Sequence, residues 1–266
     1  MKKRIYFKTL NSIIDKGKIS ISDKILIVCG GEYDKKVLCE LGFNDVTISN
    51  LDIRMNENSF DPYKWNFLDA ENLELEPDSF DWVFVHAGLH HCYSPHKAII
   101  EMLRIGRKGI LVFEARDSWI MKLAIKFKLV PEYEIEAVIG NKMKFGGVAN
   151  SIIPNHIYRW RENEIEKIVK SYLPQYKNNL IEYFYHLRLP YQRLSISKTS
   201  YKIKLAKLIS IPLRIIIFFF PKLSNEFCFF VRKGDILHDW LSMENELIQL
   251  NKNYLQLQYK LSDNRD

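Results

Sequence analysis

The chain has 266 residues, 47% hydrophobic and 27% charged, with a formal net charge of +7; that length accommodates one large α/β domain with a sizeable core and an appendage. Its four cysteines, Cys29, Cys39, Cys92 and Cys228, form no CxxC pair, which argues against a disulfide framework and for a reducing, cytoplasmic setting. No apolar core follows Met1-Lys2-Lys3-Arg4, so no signal peptide is expected, and no nucleic-acid-binding motif accompanies the positive charge.

Residues 1–23 read as a helical lead-in. Residues 25–29 are a short apolar run ending at Gly30-Gly31, the pattern of a buried strand and a tight turn. A helix to Leu41 follows, closed by Gly42. Residues 46–49 are the next strand, ending near Asp52, and residues 80–86 another, rich in aromatics and valine. Ser94-Pro95 opens a helix to about Ile105. Residues 109–114 form a further apolar strand, and Asp117 or Ser118 caps the helix after it. Strands alternating with helices predict a doubly wound, Rossmann-like parallel sheet. Residues 130–160, with Gly146-Gly147 and Pro154, are expected to form a lid or substrate loop. Residues 162–173 read as an amphipathic helix, and residues 180–187 and 226–232 as late strands.

In such a sheet, ligands bind at the carboxyl ends of the strands. Gly30-Gly31 closes the first strand, where backbone can approach a ligand closely. Asp52 closes the second, about twenty residues on, the distance at which an acid reaches ribose hydroxyls. The third feature is residues 65–114. Asp69-Ala70, Ser79-Phe80-Asp81, Leu89-His90-His91, the run Glu101-Met102-Leu103-Arg104-Ile105 and Gly109 follow one another in order. This succession resembles the class I methyltransferases that use S-adenosylmethionine, in particular the broad group acting on small molecules and lipids. The resemblance covers residues 24–116. It implies that Asp69 and Ala70 meet the adenine, that Asp52 holds the ribose, and that Gly30 and Gly31 belong to the cofactor site; His86, inside its strand, is either a core histidine or a further cofactor contact. The family's loop carries three alternating glycines, preceded by an acid. Here the loop is Val28-Cys29-Gly30-Gly31-Glu32-Tyr33.

Four of the seven histidines, His86, His90, His91 and His96, fall within eleven residues. No metal is expected there. The cluster lacks a spaced helical pair such as HExxH, and adjacent side chains at a strand end point in different directions. His90 and His91 are candidates for taking a proton from a hydroxyl acceptor, because histidine titrates near neutral pH; His156 is the rival base. The expected reaction is O-methylation of a small molecule, a sugar or a lipid-linked glycan. A non-catalytic methyltransferase-like subunit and a nicotinamide-dependent oxidoreductase on a similar sheet are the alternatives.

Between Tyr183 and Asn225 lie eight Lys or Arg residues and no Asp or Glu. Within an insertion at about residues 190–224, the apolar run from Ile211 to Pro221 is too short to span a bilayer; it suits a helix packed over the substrate site or peripheral contact with an anionic inner membrane face. The methyltransferase domain is expected to end near Gly234. Beyond it Ile236, Trp240, Met243, Leu247, Leu250, Tyr254, Leu257 and Leu261 recur at alternating spacings of four and three. That seam predicts a helix over residues 235–261 within a C-terminal segment of residues 235–266, and a coiled coil that joins copies into a homo-oligomer.

Overall fold

The computed structural model describes residues 5–188 and 200–259, without the side chains of residues 200–207 and 209. Seven strands form one sheet: β1 (Ile25–Ile27), β2 (Val46–Asn50), β3 (Lys64–Phe67), β4 (Phe80–His86), β5 (Gly106–Ala115), β6 (Leu180–His186) and β7 (Glu226–Arg232). Their order is β3-β2-β1-β4-β5-β7-β6. Strands β1 to β5 pair in parallel, and β7 runs antiparallel between β5 and β6. The order reverses between β1 and β4, so a crevice opens at the carboxyl ends of those two strands.

Alternation along the strands makes the two cores. Val28, Val83, Val85, Val112, Phe227 and Phe229 face one way, against α3 (Pro95–Ile105) and α6 (Glu162–Tyr172). Ile27, Ile48, Trp82, Phe84, Phe113 and Phe230 face the other, against α1 (Ile5–Asp15) and α2 (Glu32–Leu41). Coverage on both faces explains why the strands read as nearly continuous apolar runs. Helix ends follow the expected signals. Gly42 takes a left-handed φ of 83° after α2, the Ser94 hydroxyl accepts from Lys97 N with Pro95 in the first helical position of α3, and Ser118 caps α4 (Trp119–Lys126). The expected lid is mostly turns, interrupted by the short helix α5 (Ile135–Gly140). The insertion between β6 and β7 carries α7 (Ser200–Phe219); its first part, residues 190–199, lies outside the described residues.

The C-terminal segment departs from the expected helix. Residues 241–250 form a hairpin of β8 (Leu241–Glu244) and β9 (Leu247–Leu250), followed by the short helix α8 (Lys252–Tyr259). Leu261 lies outside the described residues. The turn residues Asn245 and Glu246 have φ of 50° and 67°, the two positive values of a tight hairpin turn. Apolar residues at 241, 243, 248 and 250 satisfy a two-residue period as well as a heptad, and the turn decides between them. The chain leading into the hairpin is tied to the loop before β6, where the Asn178 side chain accepts from Asp235 N and Ile236 N, and Asn179 from Gly234 N.

Candidate active site

The crevice holds a cleft of about 780 Å³, mouth included, reached by the ends of β1 to β4 and by the lid. Gly30 is needed in its floor. A Cβ there would lie 2.6 Å from Ile27 Cγ2 and 2.8 Å from Ile48 Cγ2. Gly31 plays a different part: it is outside the lining, and its N–H donates to the Asp34 carboxylate at 2.9 Å, closing the start of α2. Burial pushes Asp34 up to about 7, against the lowering effect of that hydrogen bond. Cys29 lines the floor at a φ of 52°, a conformation that favours glycine. Gly88 is needed beside it, since a Cβ there would lie 2.5 Å from Cys29 Cβ.

Asp52 and Asp69 both line this cleft, as does Ala70. The Asp52 carboxylate accepts from Arg54 N at 3.0 Å and Arg54 Nε at 2.7 Å, and also binds Nη2. This pairing outweighs partial desolvation and holds Asp52 below the usual carboxylate range. The Arg54 guanidinium stacks 3.5 Å from the Phe145 ring, and Asn150 Nδ2 donates to Leu51 O at 3.0 Å, so the lid is fastened to the end of β2. Asp69 Oδ1 accepts from Glu71 N at 2.9 Å. Asn50, the last residue of β2, also lines the cleft, and its Nδ2 donates to Gly30 O at 2.8 Å. Sequence reading passed over Asn50 for Asp52, although a polar residue closing a buried strand is itself a signal.

His86 is not among the residues lining the cleft. It points to the opposite face of the sheet from Val85 and stacks on Tyr6 at 4.6 Å, near Tyr33 and Phe113. Its implied place in the cofactor site is thereby corrected, because a strand's alternation sends residue 86 toward α1.

His90 and His91 do not end a strand; they lie in a 3-10 turn, Leu89–His91, that brings their rings to a centroid distance of 4.6 Å. His90 is 8% exposed. Its Nδ1 lies 2.9 Å from Glu114 Oε2 and its Nε2 3.2 Å from Glu134 Oε2. Glu114 Oε1 also accepts from Leu89 N at 2.7 Å. Desolvation disfavours the imidazolium, but Glu114 and then Glu134 outweigh it and push His90 up to about 10. A ring already protonated at neutral pH accepts no proton, so His90 is removed as a base. His91 is lowered, by desolvation and then by the His90 charge. Its Nδ1 lies 3.3 Å from Gly147 O and its Nε2 3.6 Å from Glu134 Oε2. The two side chains therefore converge on one carboxylate, contrary to the expectation that they point apart. Neither glutamate was foreseen. Glu114 left one trace, a lone acid closing the apolar run of β5; Glu134 left none.

A second cavity, of about 560 Å³, is lined by His90 of this turn and by Cys92 just after it, and Cys92 also lines the first cleft. His156, Tyr158, Pro154 and Asn155 line it. Asn155 is 2% exposed, and neither atom of its amide has a hydrogen-bond partner among the described residues. A buried amide left so is costly unless a ligand or water completes it. His156 is exposed and stands edge-on to Tyr133 at 5.5 Å.

No curated protein matches the chain. Residues 27–113 match the family model described as a methyltransferase domain. Among solved structures, the chain is similar to an S-adenosylmethionine-dependent methyltransferase of Archaeoglobus fulgidus, at 13% identity and a TM-score of 0.50 over 86% of this chain and 93% of that one. It is also similar to a chain from the Haloferax volcanii complex of the Trm112 methyltransferase activator with a methyltransferase, at 12% identity and a TM-score of 0.51 over 89% and 92%. A phosphoethanolamine N-methyltransferase of Haemonchus contortus, solved with S-adenosylhomocysteine and phosphomonomethylethanolamine, aligns at 16% identity and a TM-score of 0.47 over 86% of this chain and 53% of that one. With the strand order and the cleft at its switch point, the match over residues 27–113 gives this chain a domain of the methyltransferase kind.

Proposed function

We propose that the enzyme transfers the methyl group of S-adenosylmethionine to a hydroxyl oxygen of a small molecule, a sugar or a lipid-linked glycan. The observation that carries this reading is the pair of cavities meeting at residues 90–92, one bounded by Gly30, Asp52 and Asp69, the other offering His156 and the unpaired Asn155 amide. On this reading Asp52 and Asn50, which line the first cleft, meet the ribose, and Asp69 with Ala70 meets the adenine. Methyl transfer needs the acceptor oxygen, the methyl carbon and the sulfur in line, with water excluded. Asn155 gives a polar acceptor both a donor and an acceptor atom, and His156 is the base that best fits, being accessible in the same cavity. The test follows a labelled methyl group from the cofactor into cell extracts, beside calorimetry with S-adenosylmethionine and with NAD. Label in a hydroxyl-bearing product supports the reading. Heat with NAD alone favours an oxidoreductase, and cofactor binding without any labelled product favours a non-catalytic subunit.

We also infer a cytoplasmic protein that touches the inner membrane face. Among the described residues no helix is long and apolar enough to cross a membrane. Yet α7 leaves Ile211, Ile215, Phe218 and Phe219 exposed, with Arg214 among them, as an interfacial helix does. Self-association through the C-terminal segment is supported by its apolar surface, since Met243, Leu247, Ile248 and Leu250 of the hairpin are all exposed.

A further inference from the structure

We propose that His90, His91 and Glu134 hold a divalent first-row transition ion, of the zinc or manganese type, at the junction of the two cavities. One ligand atom from each of the three residues falls in a group whose members all lie within 4.8 Å of one another. Glu134 Oε2 stands 3.2 Å from His90 Nε2 and 3.6 Å from His91 Nε2. Donor atoms sharing one ion at metal–ligand distances of about 2.0–2.2 Å stand ~3.0–3.5 Å apart in octahedral or tetrahedral geometry. The first observed spacing lies inside that range and the second just beyond its upper end.

The hydrogen bonds at the far side of each ring point the same way. His90 Nδ1 faces the Glu114 carboxylate and His91 Nδ1 faces the Gly147 carbonyl. A carboxylate and a carbonyl only accept, so each ring carries its proton on Nδ1. In the metal-free site His90 carries a second proton, on Nε2 against the Glu134 carboxylate, and an entering ion displaces that proton. With that proton gone, two Nε2 lone pairs and one carboxylate oxygen face a single point, the donor set that a cation needs. A buried acid behind a histidine ligand is also the arrangement that orients such rings and raises their basicity. Two imidazole nitrogens and one carboxylate oxygen suit zinc, manganese or iron better than calcium or magnesium, which prefer oxygen.

Three protein ligands leave positions open, and His90 also lines the cavity of Asn155 and His156. The ion's role there rests on the methyl-transfer reading. An acceptor hydroxyl bound to the ion gives up its proton to water in the cavity more readily. The oxygen's electron pair then forms the O–CH3 bond as the S–CH3 bond breaks. That bonding pair stays on sulfur, and the sulfonium becomes a neutral thioether.

The site itself is tested without cofactor or acceptor, so its failure is seen apart from failure of that reading. Untagged full-length protein, stripped with a chelator, is titrated with Zn2+ and with Mn2+ by calorimetry, and bound metal is counted by elemental analysis. One equivalent is expected, with at least a tenfold loss of affinity in His91→Ala and in Glu134→Gln. Glu114→Gln, which removes only the positioning carboxylate, is expected to weaken binding about 10–100-fold. Nitrogen NMR of labelled histidine reports the atoms, because binding must move the Nε2 signals of two histidines and not their Nδ1 signals. Thermal melts exclude unfolding of the variants. Absence of stoichiometric metal, affinity unchanged in His91→Ala and Glu134→Gln, or a shift of Nδ1 in place of Nε2 each overturns the proposal.

Discussion

The change Asp34→Asn isolates one titration beneath the Gly30-Gly31 loop. Asp34 is buried, and its carboxyl is raised from 3.8 to about 7, chiefly by desolvation. A shift of ~3 units corresponds to about 4 kcal/mol at ~1.36 kcal/mol per unit. The folded state therefore binds a proton that the unfolded chain releases. The stability this confers is fully present below about pH 4 and is lost as pH rises through about 7. A loss of ~4 kcal/mol is a large share of a domain's typical 5–15 kcal/mol, so it is measurable. Asparagine keeps an oxygen to accept from Gly31 N and cannot ionise. Its added N–H2 group lies where Asp34 Oδ1 finds no partner among the described residues, a cost of about 1–3 kcal/mol that does not vary with pH. Urea unfolding at several pH values from 4 to 8 gives the difference between wild type and variant. The variant begins less stable at pH 4, and the gap closes or reverses by pH 8. A gap that stays constant across the range refutes the assignment of a buried, protonated Asp34.

Asp52→Ala removes the acceptor proposed for the ribose and leaves Arg54 without its carboxylate; a loss of about 1.5–3 kcal/mol is expected to lower S-adenosylmethionine affinity at least tenfold, and wild-type affinity by calorimetry would remove Asp52 from the site. Trp160, fully buried against Tyr158 and Phe229, costs about 3–5 kcal/mol as alanine, seen as a lower urea midpoint; a midpoint unchanged from wild type refutes its place in the core. Flotation with anionic vesicles at low salt recovers the full chain and loses a Phe218→Ser/Phe219→Ser variant if α7 binds the surface, and no recovery of wild type ends the membrane idea. Light scattering on the full chain and on one ending at Gly234 reads self-association, with equal monomer masses as the contrary result.

What the sequence made legible is what periodicity and punctuation control. The apolar runs of β1, β4, β5 and β7, the Ser94-Pro95 start and the Gly42 stop all lie where residue patterns place them. Strand β3 was missed because it is short and largely exposed, leaving no apolar run to read. The tail was misread because its spacing fits two periods and a single turn, at Asn245-Glu246, selects one. In the candidate site, Asp52, Asp69 and Gly30 lie at strand ends and line the cleft together. Glu134 and Asn155 come from a segment without periodicity. Only the path of the chain brings residue 134 to residue 90, across forty-four positions.

Strand β7 is the one in the sheet's interior that runs against its neighbours, and its direction sorts what is attached to it. Its first residue, Glu226, pairs with Ala115 and His186 at the carboxyl edge, and its last, Arg232, with Gly109 and Leu180 at the opposite edge. The insertion that carries α7 consequently emerges beside the cleft mouths, and the tail with its hairpin leaves from the far side. The lipid contact proposed for α7 and the self-association proposed for the tail would therefore use opposite edges of the sheet, with neither obstructing the other.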